Sequence, residues 1–122
     1  MDDDLPLFVY GTLRSGGPAA KLLGGLSRAP ARARGVLYRM PAGYPALRPS
    51  AEAWVDGELV DPPGTVRMGL VDRYEGVDEG LYRRARMVVE CRGRPVQAWV
   101  YVMDDPVARG GQPGWHERGP AR

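Results

Sequence analysis

Glycine and proline interrupt this chain every few residues, at 17 and 12 of its 122 positions, so the elements between them are expected to be short. Short elements with frequent turns suit a small barrel or a curled sheet. The length is that of one domain, and no period of 20 to 50 residues suggests an array. With 43% hydrophobic and 26% charged residues, one core can form without metal or disulfide staples. The expectation is a single domain over residues 1–122, with its body at about 5–103 and a polar, loosely ordered tail at 104–122.

Several function classes are disfavoured at this level. The lone Cys91 excludes an intrachain disulfide and a cysteine-rich metal site. No signal-like apolar stretch follows Met1-Asp2-Asp3-Asp4, and no run approaches the about 18 apolar residues of a membrane span. A soluble, cytoplasmic protein with no membrane partner is expected. Seventeen basic residues, only Lys21 among them a lysine, are nearly cancelled by 15 carboxylates, leaving a net charge of +2. The arginines are scattered and no nucleic-acid-binding signature is present, so no nucleic-acid partner is expected. His116, alone in a polar tail, lacks the converging partners of a zinc site or a triad. Cys91, Trp54 and Trp99 read as core residues.

Along the chain, Leu5–Tyr10 is an apolar run ended by Gly11 and reads as a buried first strand entering the turn GTLRSGGP. Pro18 suits the first turn of a short helix reaching Leu23. Residues 34–40 and 54–60 read as strands, the latter with Trp54, Asp56 and Glu58 alternating against Val55, Gly57 and Leu59. The intervening MPAGYPALRPS is too rich in proline for a central strand. From Val66 to Glu75, Val66, Leu70 and Tyr74 recur at four-residue steps, with Met68 and Val71 adjoining, and indicate a short helix with Glu75 in its last turn before Gly76. Residues 82–91 and 96–103 read as strands joined by a hairpin at Arg92–Pro95.

Three features stand together: the turn Tyr10-Gly11-Thr12-Leu13-Arg14, the segment Val71-Asp72-Arg73-Tyr74-Glu75-Gly76, and Tyr82-Arg83-Arg84. With Val55, Gly57, Glu58 and Leu59 between them and Ala98-Trp99-Val100-Tyr101 after them, their order and spacing resemble the γ-glutamylcyclotransferase-like family over roughly residues 5–103. The chain departs from that pattern at Ala19-Ala20, where many relatives carry Asn or His, and at Pro113-Gly114-Trp115, where relatives often show Gly-Asp-Trp. The resemblance implies an α+β fold, a small mixed β-barrel with short flanking helices, in which the glycine turn and the glutamate meet at one mouth. It also implies an intramolecular aminolysis. The α-amine of a small-molecule γ-glutamyl substrate attacks its own γ-carbonyl, releasing an amine and 5-oxoproline, without metal, nucleotide or other cofactor.

The residues suit that chemistry. A well-oriented ring closure can gain effective molarities of about 10⁵ to 10⁸ M, so the protein's first task is to hold the substrate folded. Backbone N–H groups of Gly11, Thr12 and Leu13 can cradle an anion, and glycine lets that backbone come close. The second task is to move protons from the attacking to the departing nitrogen, which one carboxyl can do if burial raises its pKa. Glu75 is the candidate, with Tyr74, Val77 and Leu81 as its apolar setting. Tyr10, Tyr82 and Tyr101 are candidate substrate contacts, and the Tyr82 phenol is placed to bond a bound carboxylate or the glutamate. Glu79 is the chief rival of Glu75, with Asp78 and Asp72 also close in sequence, Asp72 reading as a local partner of Arg84 or Arg73. The alternative function is a non-catalytic protein that binds a small amine or carboxylate in the same pocket.

Overall fold

The computed structural model describes residues 4–11, 13–17 and 19–114. Leu7–Val9 form strand β1, with each side chain at most 3% exposed. Residues covered on both faces must sit in the middle of a sheet, and β1 does: it runs antiparallel to β3 (Pro45–Val60) and parallel to β5 (Arg94–Val102). β5 pairs antiparallel with β4 (Arg83–Cys91), β4 with β2 (Arg28–Arg39), and β2 returns to β3. The five strands close into a mixed barrel, and a short β6 (Gln112–Pro113) extends the far end of β2. One helix, α1 (Thr65–Tyr74), and 3-10 turns at Ala20–Leu23 and Val77–Glu79 complete the described elements.

Two apolar clusters follow from the alternation of strand side chains. Phe8, Ala33, Leu47, Val55, Val89, Ala98, Val100 and Val102 come from all five barrel strands and therefore fill its interior. Leu7, Val9, Val60, Tyr101 and Met103 face the other way and receive Met68 and Val71 of α1, with Leu13 and Leu23. Burying side chains of this size contributes roughly 1.5–3 kcal/mol each. Arg67 fastens the helix further by donating to the Gly24 carbonyl at 2.8 Å.

The fold is the small mixed barrel that the sequence implies, but several local expectations are corrected. Glycine and proline do not keep β2 and β3 short. Pro45 starts β3, where a missing N–H is harmless, and Pro49 sits opposite Gly35 at the irregularity where residues 50–53 leave the register. Inside β3, Gly57 permits close pairing with β1, since a Cβ there would lie 2.3 Å from the Val9 carbonyl oxygen. The helix is present, but its buried stripe is Met68 and Val71. Val66, Leu70 and Tyr74 lie outward, 81%, 49% and 48% exposed. Trp54 is no core residue: it is 38% exposed, between the guanidinium groups of Arg32 and Arg34 at 4.1 and 3.9 Å from its ring centre. Trp99 and Cys91 are only partly buried. Within the tail, Pro106 is fully buried and Arg109 bonds to Asp105 and the Gly80 carbonyl. The expectations for Thr12, Pro18, Trp115 and His116 lie outside the described residues.

The β4–β5 hairpin turns on two residues, Arg92 and Gly93, both at positive φ (55° and 77°). That is the geometry whose twist suits an antiparallel pair.

Candidate active site

β1 and β5 are parallel, so Tyr10 and Tyr101 emerge at the same end of the barrel. Tyr82, just before β4, reaches that end too, because Arg83 pairs with Val102. The last turn of α1 supplies Glu75. Its N–H still closes on the Val71 carbonyl at 2.8 Å, after which Gly76 adopts a left-handed conformation (φ 70°) and ends the helix. The Leu81 N–H then returns to the Gly76 carbonyl at 3.0 Å, bringing Leu81 and Tyr82 back beside Glu75. Any side chain on Gly76 would be strained by its φ and would meet the Leu81 Cβ at 3.1 Å.

These residues surround a cavity of about 240 Å³, walled by Tyr10, Gly11, Leu13, Tyr44, Pro45, Tyr74, Glu75, Leu81, Tyr82 and Tyr101, with Phe8 and Val9 at its floor. Drug-sized sites run to about 300–1,000 Å³, so this one suits a ligand nearer an amino acid in size. Among its described lining residues Glu75 is the one carboxylate, and no Lys, Arg or His is present. Burial, with no hydrogen-bonding partner among the described residues, pushes the Glu75 carboxyl up to about 7 from an ordinary 4.5. Its place at the negative end of a helix acts in the same direction.

The three phenols are held by the protein itself. Tyr10 donates to the Tyr101 carbonyl at 2.6 Å and accepts the Leu47 N–H at 3.1 Å. Tyr82 donates to the Pro45 carbonyl at 2.6 Å, and Tyr101 to Asp72 Oδ1 at 2.6 Å. Burial first, and the Glu75 charge among lesser causes, pushes all three above the ordinary phenol range. They are therefore neutral, with hydrogens committed away from the cavity. The expectation that Tyr82 bonds the glutamate is corrected accordingly: Pro45 receives that hydrogen.

The glycine turn closes on itself through the Arg14 N–H to the Gly11 carbonyl at 3.0 Å. Among the described residues, the Gly11 and Leu13 N–H groups have no hydrogen-bond acceptor, although Leu13 is only 3% exposed. Donors without partners, that of Leu13 buried and that of Gly11 partly so, suit an anion or an oxyanion. Gly11 also packs directly against Pro45, where a Cβ would approach its Cγ to 3.1 Å.

Of the residues singled out from sequence, Tyr10, Gly11, Leu13, Glu75, Tyr82 and Tyr101 are brought together, as are Tyr74 and Leu81. Val77 packs behind the site, and Asp78 and Glu79 are exposed. Asp72 pairs with Arg84 at 2.9 Å while accepting from Tyr101, so it anchors the cavity wall. Tyr44 and Pro45 went unrecognised because they lie in the stretch read as a proline-rich connection. Their signal is the apolar Gly-Tyr-Pro between two strands. Among the described residues no group of three or more His, Cys, Asp or Glu side chains converges as metal ligands would.

A small closed barrel whose open end joins a glycine turn to one partly buried glutamate defines a class of site. The chain belongs to the gamma-glutamyl cyclotransferase, AIG2-like family, whose model matches residues 7–118. Among solved structures it resembles YkqA from Bacillus subtilis at 26% identity and TM-score 0.68, covering 82% of this chain but 36% of YkqA. An AIG2-like protein from Mus musculus matches at 23% identity and TM-score 0.73, with 95% of this chain and 90% of that one covered. A gamma-glutamyl cyclotransferase matches at 18% identity and TM-score 0.65, with 81% and 66% covered. No curated protein sequence matches the chain. No helix among the described residues is long and apolar enough to cross a membrane.

Proposed function

We propose that the cavity holds a γ-glutamyl group and that Glu75 catalyses its closure to 5-oxoproline with release of the attached amine or amino acid. The observation that carries this reading is Glu75 itself: among the described residues it is the one carboxyl lining an aromatic cavity, it has no hydrogen-bonding partner, and burial raises it to about 7. A group titrating there can both take and return a proton near neutral pH. A pocket that only binds has no use for such a group, and the family membership points the same way.

The Gly11 and Leu13 N–H groups receive the substrate α-carboxylate, while the aromatic walls keep its chain folded. The Glu75 carboxylate takes a proton from the α-ammonium, and the freed amine attacks the γ-carbonyl. As the tetrahedral adduct collapses, Glu75 passes to the departing nitrogen the protons shed by the attacking one. The C–N bond breaks, the amine leaves as its ammonium, and Glu75 is a carboxylate again. The chemistry uses the substrate and one carboxyl, with no external reactant.

The test is incubation with γ-glutamyl amines, γ-glutamyl dipeptides and glutathione, scored for 5-oxoproline, alongside Glu75→Gln. Turnover of at least one compound, lost in the variant, is the expected result. Binding of one without 5-oxoproline from any would instead support the non-catalytic alternative.

A further inference from the structure

We infer that Glu58 and Arg28 are positioning residues that hold the glycine turn in the geometry required to receive the substrate carboxylate. The inference rests on the γ-glutamyl reading of the cavity and extends it to residues that do not line it.

Arg28 pairs with Val60 across β2 and β3, and Pro30 with Glu58, so Arg28 and Glu58 are diagonal neighbours on one face of the barrel. Glu58 also lies opposite Val9, directly before the turn. From there Glu58 Oε1 accepts the Ser15 N–H at 2.8 Å and Arg28 Nη1 at 2.9 Å. Arg28 Nη1 donates in addition to the Leu13 carbonyl at 2.7 Å, and Nη2 to the Ala20 carbonyl at 3.3 Å. Both side chains are largely buried, at 15% and 20% exposure.

Two peptides on the outgoing side of the cradle are thereby tied. The Leu13–Arg14 peptide has its carbonyl on Arg28 and its N–H on the Gly11 carbonyl, and the Arg14–Ser15 peptide has its N–H on Glu58. A turn free to rotate these peptides could present carbonyl oxygen to the cavity, and an oxygen there repels the anion that an N–H attracts. The charges are matched for the same purpose. A bare carboxylate behind the turn would oppose a second one in front of it, and Arg28 cancels that field. The turn can receive an anion although no cation is among the described residues that line its pocket.

Calorimetric binding of two unreactive probes tests this apart from turnover. An N-alkyl glutaramic acid has the carboxylate and the amide but no amine, so it cannot cyclise, and its primary carboxamide lacks the charge. In Glu58→Ala and Arg28→Gln the acid is expected to weaken on the order of tenfold, and the carboxamide less than about twofold. Glu58→Gln retains an acceptor for Ser15 and recovers most of the loss. Turnover of γ-glutamyl substrates falls through KM more than through kcat. Equal weakening of both probes in step with lost thermal stability would overturn the inference, as would a Gln variant no better than Ala. Wild type that binds the acid selectively but forms no 5-oxoproline defeats the proposed reaction and leaves the positioning role standing. Wild type that turns over, with variants keeping the acid-to-carboxamide ratio, defeats the positioning role alone.

Discussion

Two glutamates beside glycines serve this molecule in opposite ways. At Gly57-Glu58, burial alone would raise the carboxyl, but the Ser15 N–H and the Arg28 guanidinium outweigh it and hold Glu58 below the ordinary carboxylate range. At Glu75-Gly76 no partner among the described residues opposes burial, and the carboxyl rises to about 7. Residue type is the same, and both are only partly exposed. What differs is the number of donors aimed at each, which makes one a permanent anchor and the other a group able to exchange protons.

The largest expected effect comes from removing the exchangeable proton. Glu75→Gln keeps shape and loses the titration, so 5-oxoproline formation should fall roughly 10²- to 10⁴-fold with the near-ultraviolet circular dichroism of the fold unchanged. Giving Glu75 a partner should make it resemble Glu58. In Leu81→Lys a cation enters the same cavity, and the acid limb of kcat/KM, expected near pH 7 in the wild type, should move down by about one unit or more. A limb that stays in place would mean that another group titrates.

The same contrast should appear in stability with opposite sign. Glu75 has a folded pKa above its unfolded one, so its ionisation destabilises the fold as pH rises from about 4.5 through 7. Glu75→Gln should therefore match the wild type at pH 4 and exceed it at pH 8, by at most about 3 kcal/mol. Glu58 has a depressed folded pKa, so its contribution is present above the unfolded value of 4.5 and is lost as pH falls through the folded one. Glu58→Ala should cost about 1–3 kcal/mol near neutrality and converge on the wild type in acid. Urea denaturation of the three proteins from pH 2.5 to 8 reads both curves, and parallel curves would dissolve the distinction.

What the sequence displayed of this arrangement was its local part. The run ending at Tyr10, the helix end at Glu75-Gly76 and the hairpin at Arg92-Gly93 each depend on a few consecutive residues whose backbone preferences are readable, and the joint motifs led to the barrel. Contacts between distant segments were not readable. Arg28 meets Leu13 only because β2 begins beside the turn, and Tyr44 joins the cavity only because Pro45 opens β3 there instead of prolonging a loop. The four-residue step of Val66, Leu70 and Tyr74 indicated a helix but not which stripe the barrel would cover, since Met68 and Val71 offer an equally apolar pair. Trp54 shows the same limit, because stacked arginines can satisfy an aromatic ring at the surface.

The smallest effect is expected at the carboxylate that sequence placed as the rival of Glu75. Glu79 ends a 3-10 turn bounded by Gly76 and Gly80, both left-handed at φ 70° and 75°, and its side chain is exposed. Backbone bonds from Glu79 to Gly76 at 3.0 Å and from Gly80 to Val77 at 3.0 Å fix that turn. To reach the cavity Glu79 would have to unwind it and displace Leu81, which the Gly76 carbonyl holds in the wall. Glu79→Gln should thus leave kcat/KM within about twofold and stability within about 0.5 kcal/mol, as surface substitutions do. A loss comparable to that of Glu75→Gln would transfer the proton exchange to the exposed residue, and the contrast between a partnered and an unpartnered glutamate would no longer explain the chemistry.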